Sequence, residues 1–331
     1  MKIAVIGPGA IGCLFGALLS RAGNEVWLVD RHPQRARMLN RRGLLVSGAS
    51  GPSGTLSDSL GRGVLKGRAG ADGFRAAVRA TANPQEVGPA QLVMVAVKSF
   101  DTAEAAAAAK QLVGSGTTVL TLQNGLGNVE VLQEALGEER VIGGVTSQGA
   151  TMVAPGHVYH AGDGPTVIGE CAGSLSERLL AVQETFSQAG IQTEATTDLA
   201  SALWGKLVVN VGLNAVGALA HVRNGGIMES ASLRQVMGAA VREAVQVALA
   251  RGIALPQSDM ATHAEGICRH TADNMNSMLQ DVLRKRRTEV EAINGAVVRE
   301  GPAAGVPTPV NQALLWLVKG IEETYPIRLE R

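Results

Sequence analysis

Lys2-Ile3-Ala4-Val5-Ile6-Gly7-Pro8-Gly9-Ala10-Ile11-Gly12-Cys13 is the stretch that decides how this chain folds. Ile3 to Ile6 is a continuous apolar run, as expected of a strand buried on both faces. Gly7-x-Gly9-x-x-Gly12 follows it directly and opens a second apolar stretch, Ala10 to Ala22, with helical composition. That order of strand, glycine turn and helix gives an otherwise common glycine pattern its meaning. Gly7 permits a tight turn, Gly9 lets the backbone approach a pyrophosphate, and Gly12 allows the helix to lie close to the strand. The amides at the helix start, including those of Ala10 and Ile11, face the anion. A glycine turn without a ligand is the competing reading, and the rest of the chain weighs against it.

Working outward, Glu25 to Val29, Gln91 to Val97 and Thr117 to Leu122 are further short runs rich in β-branched residues or leucine. Alanine-rich stretches such as Thr102 to Val113 alternate with them, the pattern of a parallel sheet with crossover helices. From about Thr196 the pattern becomes helical, with amphipathic stretches around 198–220, 230–251 and 286–301. The expected fold class is α/β: an N-terminal Rossmann-type parallel-sheet domain over residues 1–195, then an all-helical domain over 196–331. A chain of 331 residues with 46% hydrophobic content can build two such cores. Residues 46 to 73 break the pattern with Ser, Gly, Asp and Arg around Gly51-Pro52-Ser53-Gly54. They read as a long surface excursion, more in the manner of an insertion than of a lid. Tyr325 to Arg331 is polar and expected to fray.

Composition excludes several classes. Lys and Arg total 30 against 29 Asp and Glu, so no global field favours nucleic acid or an anionic membrane. The three cysteines, Cys13, Cys171 and Cys268, form no C-x-x-C pair, which argues against a disulfide framework or a structural zinc site and makes the cytoplasm the expected compartment. The apolar start is interrupted by glycines and lacks a small-residue cleavage pattern, so it does not read as a secretory leader, and Met1 is the expected functional start. No run reaches the ~18 uninterrupted apolar residues of a membrane span. His157 and His160 lack carboxylates at ligand spacing and read as structural, so no metal is expected.

Asp30-Arg31 closes the second strand, about twenty residues after the glycines, where cofactor choice is made. Asp30 suits an adenosine ribose and hence NADH, whereas Arg31 suits a 2′-phosphate and hence NADPH. Lys98 and Asn124 follow the next two strands and are expected at the carboxyl end of the sheet, where ligands collect. In the helical half, Lys206, Asn210 and Asn214 recur at i, i+4 and i+8 amid leucine and valine. They share one helix face, over a rise of roughly 12 Å. Such polar groups are costly to bury without partners, and a ligand-facing stripe answers that cost better than a solvent-facing one. Asn274 to Asp281 precedes the basic run Arg284 to Arg287, which reads as a solvated face. On a helix of Thr288 to Arg299, Glu289 lies nearer the apolar stripe than Glu291. If 277 to 289 were one straight helix, Ser277 and Glu289 would be roughly 18 Å apart, so joint use of both requires a bend.

Taken in order, the glycine motif, Val97-Lys98, Gln123-Asn124-Gly125, the L-W-x-K-L-x-x-N-x-x-x-N segment from Leu203, and Ser277-Met278-Leu279-Gln280-Asp281 make the chain resemble the ketopantoate reductases over nearly its whole length. The resemblance implies NADPH-dependent reduction of 2-dehydropantoate to pantoate. It assigns Lys206 as general acid and Glu289 as its supporting carboxylate, with Asn210, Asn214, Asn274 and Ser277 on the substrate. Lys98 and Asn124 fall where substrate and nicotinamide meet. The resemblance makes a small 2-keto acid the expected partner and leaves a homodimer open. Two other readings stand beside it: a reductase of a different 2-keto acid or an opine-type dehydrogenase, and a non-enzymatic NADP(H) sensor, which would need no proton donor.

Overall fold

The computed structural model describes residues 1–48, 55–57, 64–66 and 73–328. The chain forms two compact units, Met1–Gln123 with Asn128–Leu199, and Asn124–Gly127 with Ala200–Arg331. A single cut at residue 195 therefore differs from the structure in two ways. The main crossing falls after Leu199, and four residues from the middle of the first half belong with the helices.

In the first unit an eight-stranded sheet runs in the order Arg79–Thr81, Glu25–Val29, Lys2–Ile6, Leu92–Val95, Thr118–Thr121, Val141–Thr146, Thr166–Glu170, Thr193–Thr196. Its first six strands are parallel neighbours, and Thr166–Glu170 joins antiparallel. The chain starts in the middle, builds outward on one side and then crosses to the other. Strand order thus reverses beside Lys2–Ile6, which puts the glycine turn at the switch point where such sheets bind ligands. That Leu92–Val95 and Thr118–Thr121 are buried throughout explains why these runs are rich in β-branched residues and leucine without polar alternation.

A four-stranded sheet of Gly149–Ala154, His157–Gly162, Leu44–Ser47 and Phe74–Ala76 was not anticipated from the sequence. Its strands are short or mix polar with apolar residues, and the pairing that joins the hairpin Gly149–Gly162 to Leu44–Ser47 is long-range. The helix Ala10–Arg21 packs against strands of both sheets. Seven of its twelve residues are buried, as expected of a helix that is apolar nearly all round. His157 bonds the Ser47 hydroxyl at 2.8 Å and His160 bonds the Gln148 side chain at 2.6 Å. No cluster that could hold a metal occurs among the described residues. Within the expected excursion, Thr55–Ser57 pairs antiparallel with Val64–Lys66; its remainder, 49–54, 58–63 and 67–72, lies outside the described residues. Tyr325 is tied down, its hydroxyl donating to the Arg286 carbonyl at 2.9 Å, while residues 329–331 are not described.

The second unit is built on the helices Leu199–Ala220, which it takes up from Ala200, Asn224–Glu229, Ala231–Ala250, Met260–His270, Ser277–Leu283, Asn294–Ala304 and Pro309–Glu323. Val208, Val211, Val241, Ala244, Val297 and Val318 are among its fully buried residues. Leu199–Ala220 is long and apolar enough to cross a membrane, yet most of it is buried within the protein. Polar links also cross this core. Asn294 donates to the Val211 carbonyl at 2.9 Å and to Asn311 at 3.0 Å. Glu243 accepts the backbone N–H groups of Val310 and Asn311, compensating the open amides at the start of Pro309–Glu323.

The expected helix from Thr288 to Arg299 does not start until Asn294. Local hydrogen bonds win over it: the Thr288 hydroxyl accepts from Val290 N, and Glu322 accepts from Thr288 N. Lys285, at φ 52°, breaks the chain after Ser277–Leu283, which supplies the bend between Ser277 and Glu289.

Candidate active site

In the first unit Gly7 has φ +87°, and a Cβ there would lie 2.4 Å from Val97 Cγ1. A Cβ on Gly12 would fall 2.4 Å from the Gly7 carbonyl oxygen and 3.2 Å from Val5 Cγ1. The helix can approach the turn this closely only with glycine at both positions. Beside Gly9 the nearest atom to an added Cβ, the Ala96 carbonyl oxygen, is 3.9 Å away, an ordinary contact that leaves this position uncrowded. The helix start has no side-chain cap and no acid in its first turn. Its leading amides, those of Ala10, Ile11 and Gly12, have no partner within the helix. An uncapped helix N-terminus over a glycine cradle fits the pyrophosphate of a dinucleotide.

At the end of Glu25–Val29, Asp30 is buried. Its carboxylate accepts from the His32 N–H at 2.9 Å and from Arg35, whose Nη2 donates at 2.9 Å. Arg31 is 55% exposed, with Asp101 and Glu104 each 3.4 Å away. Exposed pairs of this kind contribute about 0–1 kcal/mol, so Arg31 can exchange them for an anion. Lys98 lies just past Leu92–Val95, half-buried, ahead of the short turn Ser99–Asp101. Gln123, quoted in the sequence motif without a role, proves to be a clamp. Its Nε2 donates to the Val97 carbonyl at 3.0 Å and to the Thr102 hydroxyl at 2.8 Å, fixing the backbone before Lys98.

The second unit brings together Lys206, Glu289 and Asn124. Lys206 rides on Leu199–Ala220, which also carries Asn210, half-buried, and Asn214, 4% exposed. Burial pulls the Lys206 ammonium down from 10.5 to about 8, against the opposing pull of the Glu289 carboxylate. Glu289 is 5% exposed and accepts from Asn124 Nδ2 at 3.3 Å. Leu126 N donates to the Ala292 carbonyl at 3.0 Å, docking Asn124–Gly127 onto the turn that carries Glu289. Asn124 therefore groups with the helices, unlike Lys98. Glu289 faces inward as expected but from a turn, not a helix face. Glu291 is held by Lys319 at 2.7 Å and Arg287 at 2.6 Å, which lower its carboxyl below the usual range.

Ser277 is the first residue of its helix, half-buried. The cap is Asn276, whose Oδ1 accepts from Leu279 N at 2.9 Å and whose Nδ2 donates to the Leu213 carbonyl at 3.3 Å. It ties the Ser277 helix to the helix of Asn210 and Asn214. Its position three residues before Leu279 was the readable signal. The half-buried Asn274 is held by its backbone, accepting from Asn224 N at 3.1 Å.

A Rossmann unit with a glycine turn suited to a pyrophosphate, followed by a helical unit that pairs a half-buried lysine with a buried carboxylate, defines an NAD(P)-binding oxidoreductase. Residues 3–173 match the family described as ketopantoate reductase PanE/ApbA, and residues 198–322 its C-terminal counterpart. The chain belongs to this family. It is 36% identical to the 2-dehydropantoate 2-reductase of Halobacterium salinarum, over 96% of this chain and 98% of that one. It is likewise 36% identical to the enzyme of that name from Archaeoglobus fulgidus, over 97% and 98%. Among solved structures, a PanE/ApbA family ketopantoate reductase from Ralstonia eutropha superposes with TM-score 0.84 at 32% identity, over 98% and 99% of the two chains. A D-mandelate dehydrogenase solved with NADH and anilino(oxo)acetate superposes with TM-score 0.86 over 99% and 100%; at 24% identity it shows the shared fold alone.

Proposed function

We propose that this protein reduces 2-dehydropantoate to pantoate with NADPH, acting in the cytoplasm. The observation that carries the reading is the half-buried Lys206, its ammonium shifted by desolvation and by the buried Glu289 carboxylate, on a helix that also presents Asn210 and Asn214. A bound reduced nicotinamide supplies the hydride. Lys206 donates a hydrogen bond to the substrate's keto oxygen and then gives it a proton, while Glu289 keeps the ammonium charged and oriented. Ser277, Asn210, Asn214 and Asn274 supply neutral hydrogen-bonding groups that hold the acid and hydroxyl ends of the substrate. A sensor of NADP(H) would have no use for this donor. The names of the 36%-identical relatives support the choice of substrate.

Steady-state assays with NADPH and NADH against a panel of aliphatic and aromatic 2-keto acids test the reading. The expected result is the highest kcat/KM for 2-dehydropantoate with NADPH; a preference for an aromatic keto acid would move the protein to another substrate class. Arg31→Ala is expected to weaken NADPH binding by about 10- to 100-fold and NADH far less, because a guanidinium pairs with a 2′-phosphate that NADH lacks. Equal losses for the two would remove Arg31 from cofactor choice. Ser277→Ala is expected to raise KM for the keto acid several-fold with dinucleotide affinity unchanged. No change in KM or kcat/KM would leave Ser277 as a helix-start residue alone.

A further inference from the structure

The carboxylate of Asp30 is 0% exposed, and the group that reaches it is the guanidinium of Arg35, 38% exposed, in the first turn of Pro33–Arg42. The grip is two-pronged, with Arg35 Nε on Oδ2 and Nη2 on Oδ1 at 2.9 Å. A third donor, the His32 N–H, also reaches Oδ1 at 2.9 Å. The backbone places the pair in the fold: Gly7 N donates to the carbonyl of Val29, the residue before Asp30, at 3.1 Å. The pair therefore lies close to the glycine turn, where the adenosine end of a dinucleotide would run.

An acidic side chain that is open at this strand end accepts hydrogen bonds from the ribose hydroxyls and repels a 2′-phosphate. Asp30 is in that sequence position but has its oxygens engaged and covered. We propose that Arg35 is a specificity-determining residue. By covering Asp30 it withdraws the acidic group from ribose recognition and leaves Arg31 to select a dinucleotide bearing a 2′-phosphate. The inference rests on the dinucleotide-binding part of the function proposed above and not on the keto acid. A planar, two-pronged guanidinium can close over both carboxylate oxygens, which a lysine ammonium cannot do.

Fluorescence titration of NADPH and NADH into the full-length protein tests this without turnover. In Arg35→Leu the ratio of the two affinities is expected to shift toward NADH by about tenfold or more, roughly 1.4 kcal/mol. The gain in NADH affinity should vanish in the Asp30→Asn/Arg35→Leu double variant. Asp30→Asn alone should leave NADH affinity within about twofold. Because Arg35→Leu strips a buried carboxylate of its partner and risks unfolding, Arg35→Lys serves as the second variant and should shift the ratio the same way by less. A ratio unmoved in the folded Arg35 variants overturns the proposal, as does loss of NADH binding in Asp30→Asn. A wild-type protein that binds neither dinucleotide removes the cofactor reading and this inference together. Failure to reduce any keto acid, with the ratio shifting as stated, leaves the inference standing.

Discussion

Lys206→Ala is expected to lower kcat by about 10²–10⁴-fold, the usual contribution of a placed general acid, while NADPH binding followed by fluorescence survives. The ammonium sits in a helix whose other buried residues are mostly apolar, and burial has already lowered it to about 8. It is thus charged at neutral pH yet close enough to its titration point to release a proton. The expected pH profile follows: kcat is level below about 8 and falls above it as the donor is lost. Stability runs the other way. The unfolded lysine holds its proton up to near 10.5, so between about 8 and 10.5 the unfolded chain binds more protons and folding gains as pH rises. The difference in urea midpoint, wild type minus Lys206→Ala, should therefore grow across this window; the raised Cys13 and Cys268 thiols, present in both proteins, pull both the other way above about 9 and cancel in the difference. Glu289→Ala should impair turnover less and move the falling limb to lower pH, because the carboxylate that raises the ammonium is gone. Near-normal kcat in Lys206→Ala, with collapse in Lys98→Ala, would reassign the donor.

Gly12→Ala is expected to abolish saturable dinucleotide binding and to lower the melting temperature. The added methyl would sit 2.4 Å from the Gly7 carbonyl oxygen, a backbone atom that cannot rotate away. Overpacking in a well-packed site costs about 1–3 kcal/mol, and relief here requires the helix start to move off the turn. That motion carries away the amides of Ala10 and Ile11. Thermal denaturation and NADPH titration read the two effects together, and a Kd within a few-fold of wild type would show that the turn absorbs the methyl.

The parts of this fold that were legible in the sequence are those specified locally. Lys2–Ile6, Glu25–Val29, Ala10–Arg21, Leu199–Ala220 and Ala231–Ala250 follow from unbroken apolar runs or helical periodicity, and the glycine turn from spacing alone. The second sheet was not legible, because Leu44–Ser47 pairs with His157–Gly162 across more than a hundred residues. The segment from Thr288 departs from the helical expectation for a different reason. Periodicity reports which side of a segment faces the core, and Glu289 does face inward, but a turn held by Thr288 and Glu322 satisfies the same pattern. In the site, the helical spacing that joins Lys206, Asn210 and Asn214 was readable. The clamp by Gln123, the cap by Asn276 and the covering of Asp30 by Arg35 depend on where side chains end, and composition is silent about that.

The tetrapeptide Asn124–Gly127 leaves the sheet-bearing unit after Gln123, joins the helical unit, and returns at Asn128. The helical unit is therefore not a cassette that a single recombination near Leu199 could deliver intact. A chimaera inheriting only residues 200–331 would receive Glu289 and Ala292 from one parent and their contacts, Asn124 and Leu126, from the other. Shuffling between distant members of the family should favour crossovers that keep this tetrapeptide and the Glu289 turn from one ancestor. Substitutions in the two segments should accordingly be inherited as a linked pair, although more than 160 residues separate them.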